Sequence, residues 1–392
     1  MLRQIVAITA VNLKSIPVRW ASSLVIIIGL AGVVAVFSAL LAMSAGFEST
    51  LKATGSKDAA LVLRGGSNAE LNSVLTRDDA TLIKLSQGIR KDSGGKPLAS
   101  AELIVITELL RKGETKNGAN VTLRGVEPDA FALRPQLHVV EGRVFKPGLR
   151  ELLVGRGVTR QFEDAQLGKV LRMRGADWTI VGIFESGDAH DSELWTDAET
   201  AQSAYGRPAY SSVLAGMESP AAIPQLKTTL KADPRLNVDV QSEQDYFSSQ
   251  TAQFRKSIGV LAGAVTFIMA LGAIFAALNT MYAAVAARSR EIATLRAIGF
   301  GGFAVLVSVM IESVALSLVG GVLGAAIAYL LFNGISVSTL GANFTQVVFA
   351  FKVTFGLVAS GLVIAVTIGF FGGLLPAIRA ARMQVTDALR AA

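Results

Sequence analysis

Residues 288–301 read RSREIATLRAIGFG, and this short charged stretch decides how the rest of the chain is arranged. Arg288, Arg290, Glu291 and Arg296 are the only charges between Lys256 and Glu312. An island of charge between two long apolar segments has to sit in water, and its excess of arginine marks that water as cytoplasm. Its spacing fits a short helix presented to something on the cytoplasmic side.

Working outward, the chain is 51% hydrophobic and has a positive mean hydropathy, which is too apolar for an ordinary soluble protein. Four stretches lack charge for long enough to cross a bilayer, which takes about 20 residues. They are residues 20–47, 257–287, 313–351 and 353–378. The third exceeds one span, so its ends include water-facing turns. The first begins too late and runs too long for a plain cleavable signal peptide.

Charge sets the orientation. The short flanks carry Arg3, Lys14, Arg19, Arg288, Arg290, Arg296, Arg379, Arg382 and Arg390 against two acids, Glu291 and Asp387. That excess equals the formal net charge of +7 for the whole chain. The large loop 48–256 is therefore balanced and the basic bias is confined to the short loops. The positive-inside rule then puts both termini and the Arg288 loop in the cytoplasm and the large loop outside. The high isoelectric point reads as membrane topology, not as nucleic-acid binding.

The expected fold is membrane α-helical, with four transmembrane helices and a large α+β extracytoplasmic domain inserted between helices 1 and 2. The divisions are a cytoplasmic or interfacial N-terminal helix at 1–19, helix 1 at 20–47, the periplasmic domain at 48–256 and helix 2 at 257–287. A cytoplasmic coupling segment at 288–311, helix 3 at 312–334, helix 4 at 353–378 and a cytoplasmic tail at 379–392 follow. Residues 1–19 mix apolar and polar positions in a way that suits lying along membrane lipid.

Inside the large loop, strands are expected at 60–64, 103–106, 121–124, 152–154, 170–173, 179–184, 212–215 and 238–241. Helices are expected at 77–87, opened by Thr76 and Asp79, at 198–205 and at 224–231. The two ends of the domain must meet because both enter the same membrane. Residues 125–206 suggest a separate β-rich lobe. Residues 242–256 hold no Pro or Gly, so a helix is expected to run from the external domain straight into the second span.

Small residues recur at four-residue spacing at Gly259 and Gly263, Gly320 and Gly324, and Gly369 and Gly373, a pattern that lets helices approach closely. Packing within one subunit accounts for them at least as well as dimerisation. Glu312 is a carboxylate in an apolar run. A span ending near Asn333 begins near Glu312, so it is expected at the cytoplasmic edge, paired with an arginine of the island, rather than in a proton relay. The run Asp188, His190, Asp191, Glu193 has metal-ligand chemistry but reads as a solvated loop. The chain has no cysteine, no HExxH, no GxSxG and no GxxxxGK[ST] nucleotide loop.

Several of these stretches resemble one family. RSREIATLRAIGFGGF (residues 288–303) is similar to the cytoplasmic coupling segment of the macrolide-exporter and cell-division (MacB/FtsX-like, type VII) ABC transporter permeases. The Ile-Glu-Ser of 311–313 and the residues 318–321 follow as expected. GLLPAIRAARMQVTDALR (373–390) resembles the family's C-terminal signature. LVGRGVTRQF (153–162) and WTIVGIFESG (178–187) resemble its external domain more loosely.

The resemblance implies a dimeric permease that binds no cofactor itself and works with an ABC ATPase subunit, which holds ATP and Mg2+. It maps ATPase coupling onto Arg288, Arg290, Glu291, Arg296 and Gly299, with Glu312 as a structural neighbour. Movement of the external domain then drives export by mechanotransmission, together with a periplasmic adaptor and an outer-membrane channel. Lipoprotein extraction or control of a cell-wall hydrolase are the alternatives within the family. A membrane-anchored sensor or enzyme is the alternative outside it. Gly301, Gly302 and Phe300 depart from the family's usual residues, which points to a weaker or more apolar ATPase contact.

Overall fold

The computed structural model describes residues 2–14, 20–114, 118–340 and 346–384. The end of the C-terminal signature, Arg19 and part of the 112–118 turn lie outside the described residues. The chain forms two compact units. A membrane unit comprises Met1–Gly46, Arg255–Ile335 and Phe351–Ala392, and an inserted domain comprises Phe47–Phe254 and Ser336–Ala350.

The chain opens with α1 (Leu2–Lys14) and α2 (Trp20–Ala53). α2 continues past the expected end at residue 47, because Glu48 and Lys52 pair one turn apart and prolong it into water.

The inserted domain is built on a sheet whose strands run β1 (Ala59–Arg64), β2 (Ala99–Leu110), β3 (Gly118–Val126), β4 (His138–Gly142), β5 (Glu151–Gly155), β6 (Val170–Met173), β7 (Ala176–Glu185), β8 (Glu193–Asp197), β9 (Ser212–Gly216) and β10 (Val238–Ser242). Their spatial order is β10-β1-β9-β2-β3-β8-β5-β7-β4, with β6 on β7. β1 pairs antiparallel with β10, Ala60 opposite Ser242, so the two ends of the domain do meet. β2 is long enough to serve both halves of the sheet. Ala99–Glu102 pair with β9, and Leu103–Leu110 pair with β3.

That continuity corrects the expected separate lobe at 125–206. Its strands enter the same sheet through the parallel pairing of β3 with β8. β8 and the edge strand β4 were not expected as strands. β8 hides because its sequence, ELWTD, is mostly polar and lacks strand alternation, yet it is buried along its whole length.

Helices α3 (Arg77–Lys84), α4 (Ala130–Leu133), α5 (Arg156–Gln161), α6 (Ala198–Tyr205) and α7 (Ala222–Ala232) complete the domain. The Thr76 hydroxyl accepts from the Asp79 amide at 3.1 Å, and the Asp79 carboxylate accepts from the Thr76 amide at 2.9 Å. This reciprocal cap is why α3 starts where the sequence says it does. One core gathers Val62, Ile83, Val213, Leu226 and Val240, and another gathers Leu123, Val154, Phe162, Trp178 and Leu194.

α8 (Glu243–Ala287) is a single helix of 45 residues. α9 (Ser289–Ala297), α10 (Gly302–Phe332) and α11 (Phe355–Arg382) follow, with the hairpin β11 (Ser336–Leu340) and β12 (Gln346–Ala350) between the last two. α10 starts ten residues before the expected 312, because residues 302–311 are apolar and carry no breaker after Gly302. The charged stretch before α10 accordingly comprises only α9 and the turns on either side of it. The hairpin, which fills the gap between the expected helix 3 at 312–334 and helix 4 at 353–378, belongs to the inserted domain.

Glycines close the membrane unit. A Cβ on Gly324 would lie 2.5 Å from the Ala31 carbonyl oxygen, and one on Gly320 would lie 2.8 Å from that of Ile27. α2 and α10 therefore touch backbone to backbone. Gly369 receives Ser317, and Gly373 receives Ser313, whose hydroxyl donates to the Gly369 carbonyl at 2.7 Å. Gly259 and Gly263 on α8 and Gly29 and Gly32 on α2 meet nothing within 4 Å.

Candidate functional site

The charged island folds as a turn, the helix α9 and a second turn. α8 ends at Ala287, and Arg288 breaks from it. α9 stops at Gly299, where φ of +106° suits glycine alone, and the Phe300 amide closes back on the Leu295 carbonyl at 3.1 Å. The chain then starts α10 at Gly302. A Cβ there would lie 2.7 Å from the Ala381 carbonyl oxygen of α11. Gly302 is thus required by packing within the unit, and Phe300 packs against the same core. Their departure from the family pattern has an internal cause.

The six residues singled out in the sequence divide sharply. Arg288, among the residues the resemblance gave to ATPase coupling, is 7% exposed and so turned inward. Its Nη2 donates to both Glu312 oxygens, at 2.6 and 2.8 Å, and its Nη1 donates to Asn12 Oδ1 at 2.7 Å. Asn12 Nδ2 in turn donates to Ser308 Oγ at 2.7 Å. One buried cluster therefore joins α1, the α8–α9 turn and α10. Glu312 sits in it as a partner of Arg288. A single guanidinium nitrogen thus spans both carboxylate oxygens, and charge-assisted hydrogen bonds of this kind are short and strong.

Arg290, Glu291 and Gly299 are exposed, and Arg296 is half-buried with its Nη1 donating to the Met383 carbonyl. Ile292 and Ala293 face inward. Arg290, Thr294, Ala297 and Ile298 fall at helical spacing on the outward side, with Ile298 72% exposed. The outward surface thus mixes one cation, one anion and an apolar tip. Asn12 and Ile298 were missed in the sequence. Asn12 gave no distinct signal, because α1 also carries Arg3, Gln4, Thr9 and Lys14 and only the fold shows that its Ile8 side is the buried one. Between α1, α8, α9 and α10 lies a cavity of about 340 Å3, walled by Ile8, Met281, Ile292 and Val309, with Arg288 and Glu312 at its polar end.

A second set of buried charges lies within the inserted domain. Arg124 donates from Nε and Nη2 to Glu193 at 2.8 Å each, and from Nη1 to Glu102 at 2.7 Å and Glu70 at 3.0 Å. Arg134 donates to Glu102 at 2.6 Å and to Glu243, the first residue of α8, at 3.2 Å. Burial opposes the charge on Glu102, but the Arg134 and Arg124 guanidiniums outweigh it and hold its pKa down to about 2.

Asp188 and His190 adjoin this network, and their burial, 3% and 1% exposed, corrects the expected solvated loop. His190 Nδ1 lies 2.9 Å from Asp188 Oδ1. Burial disfavours the imidazolium, yet the Asp188 and Glu193 carboxylates outweigh it and raise the His190 pKa. Among the described residues no group of three or more His, Cys, Asp or Glu is placed to hold a metal.

Two family models match the chain. Residues 20–233 match the MacB-like periplasmic core domain, and residues 263–385 match the FtsX-like permease C-terminal domain. The chain belongs to the MacB/FtsX family of ABC transporter permeases.

Relatives in this family cover most of its length. It is 25% identical to the uncharacterized ABC transporter permease YknZ of Bacillus subtilis (strain 168), covering 84% of this chain and 82% of that one. Similarity to YvrN of the same organism is 23% over 93% of each chain. Against the macrolide export ATP-binding/permease protein MacB of Chlorobium phaeobacteroides, 25% identity covers 94% of this chain and 58% of the relative. The four long apolar helices are α2, α8, α10 and α11, and they make this a multi-pass membrane permease with a large α/β domain inserted between the first and second.

Proposed function

We propose that this permease couples ATP hydrolysis on a separate ABC ATPase subunit to movement of its inserted domain, and that this movement drives export with the help of an adaptor protein. The observation that carries the reading is the outward face of α9. Its inner side is fixed by Ile292, Ala293 and the Arg288–Glu312 pair, while Arg290, Glu291 and Ile298 stay exposed. A helix anchored on one side and bare on the other suits docking to a partner that pushes it. ATP and Mg2+ belong to that partner. The unbroken α8, from Glu243 to Ala287, is the lever.

The basic flanks support an inner-membrane orientation with both termini cytoplasmic. The open faces of Gly259 and Gly263 on α8, in contrast to the filled glycines of α10 and α11, support a homodimer that buries them.

The test is co-purification of the full chain with its ATPase from membranes. The paired reversal Arg290→Glu with Glu291→Lys is expected to abolish permease-stimulated ATP hydrolysis while the chain still folds. Stimulation unchanged by the reversal would sink the reading. Arg296→Glu is a poorer probe, because Arg296 already holds the Met383 carbonyl. Crosslinking from the inserted domain separates cargoes. An adaptor supports export, whereas a lipoprotein or a cell-wall hydrolase supports the alternative outputs of the same mechanism.

A further inference from the structure

The hairpin between α10 and α11 is short, and two five-residue strands alone are marginally stable in water. Its order has to come from what it rests on. The Val348 amide donates to Ser192 Oγ at 2.8 Å, and Ser192 is 4% exposed. Gly157 is kept bare there, since a Cβ would lie 2.8 Å from the Asp191 carbonyl and 3.1 Å from Val348 Cγ2. Phe349, 3% exposed, stands edge-on to Phe47 with ring centroids 5.5 Å apart. Phe47 also packs on Phe254 at 4.2 Å.

These rings come from three separate parts of the chain. Phe47 lies in the last turns of α2, Phe254 in the first turns of α8 and Phe349 in β12. The turn that carries Ser192 is tied to the residue just after α2 as well, for the Ala189 amide donates to Thr54 Oγ1 at 3.0 Å. Along the chain, Phe47 leads to α2, Phe254 leads to α8, and the hairpin leads at its two ends to α10 and α11. One aromatic cluster within the inserted domain therefore collects the connections to all four long apolar helices.

We propose that Phe349 is a positioning residue that clasps the hairpin onto the Phe47–Phe254 pair, so that displacement of α10 and α11 reaches the inserted domain through the hairpin as well as through α8. The proposal rests on the mechanotransmission reading above. It adds a third mechanical route to the two formed by α2 and α8. Aromatic side chains suit the task, since each buries a large area and prefers tilted or edge-on contacts that resist sliding.

The experiment uses the full chain with its ATPase in lipid nanodiscs. Hydrogen exchange at the Val348 amide is expected to quicken at least tenfold in Phe349→Ala and less in Ser192→Ala, which removes the acceptor but leaves the rings. Phe349→Leu guards against misfolding and is expected to fall between wild type and Phe349→Ala. The chain lacks cysteine, so Ser338→Cys and Ser219→Cys place spin labels on the hairpin and the inserted domain without background. In wild type the distance between them is expected to hold through the ATP cycle. In Phe349→Ala it is expected to broaden, and a second pair, Ser219→Cys with Ala287→Cys at the far end of α8, is expected to show the ATP-driven displacement of the inserted domain cut by half or more. Unchanged exchange at Val348 overturns the clasp, and a freed hairpin with full displacement overturns its role in transfer. Absence of any ATP-driven displacement in wild type defeats the proposed function and the transfer role together, and the exchange measurement then still decides the clasp.

Discussion

Glu312→Gln tests the buried cluster that anchors the charged island. The substitution keeps the shape of the side chain and removes its charge. In the native chain Arg288 Nη2 donates to the two carboxylate oxygens at 2.6 and 2.8 Å, and the Arg288 side chain is 9% exposed. The amide leaves a guanidinium buried with no countercharge on Glu312's side, and breaking a buried pair in this way costs about 3–5 kcal/mol. Arg288→Met removes the cation instead and strands the carboxylate, at a similar cost. Replacing both, Arg288→Met with Glu312→Leu, removes the two desolvation penalties together and is expected to fall within about 1 kcal/mol of wild type. With Glu312→Leu as the matching single, itself expected to strand Arg288 like Glu312→Gln, the coupling between the two sites exceeds about 2 kcal/mol, far above the few tenths expected of independent positions. Titrating the full chain with a denaturing detergent in mixed micelles, followed by far-ultraviolet circular dichroism, reads all four variants. Additive effects, with the double variant as damaged as the sum of the singles, would falsify the claim that the pair is a closed internal tie.

Other expectations concern the helix contacts and the inserted domain. Gly324→Ala forces a methyl to within 2.5 Å of the Ala31 carbonyl oxygen, and overpacking of this kind costs about 1–3 kcal/mol, visible as a lower thermal midpoint in detergent. Gly259→Ile on the open face of α8 is expected to leave that midpoint unchanged and to shift the chain from dimer to monomer in light scattering. Glu102 loses its proton far below the ordinary value of 4.5, at about 2, so the unfolded chain takes up a proton first as the pH falls. Its contribution, about 3 kcal/mol, is present above pH 4.5 and lost as the pH drops toward 2, which acid unfolding followed by tryptophan fluorescence measures. His190 acts in the opposite sense. Its pKa is raised, so its contribution is complete below pH 6.5 and fades as the pH rises through the folded value, and His190→Gln is expected to flatten that upper limb.

The four spans and the closure of β1 on β10 were legible because they follow from lengths of uncharged sequence and from the need of one insertion to return to its starting membrane. α3 and α6 were legible because their caps, Thr76 and Asp197, are local. The orientation of Arg288 was not. Arginines at 288 and 290 look alike in sequence, and only the fold turns the first toward Glu312 and the second toward water. The Asp188–His190 turn misled for a related reason. Its burial depends on Thr54, Trp195 and Phe247, which the chain delivers from elsewhere. The strands of the hairpin were hidden because SVSTL does not alternate, with Val337 and Leu340 three residues apart, so the segment read only as a connection between two spans.

The pairing of β1 with β10 also sets an order of assembly as the chain is made. Ala60 is synthesised early, yet its partner Ser242 arrives only as α8 begins, so β1 waits with an open edge while nearly all of the domain emerges. Long-range pairing of this kind is slow and exposes strand edges. The β2–β3 pair, close in sequence, has no such delay and is placed to form first. Phe349 comes later still, after the whole of α10, so the apolar surface of Phe47 is covered last. The inserted domain therefore reaches its finished form only after α10 is made, and a chain cut short before β12 is left with a sticky, unsealed domain that quality-control proteases can find.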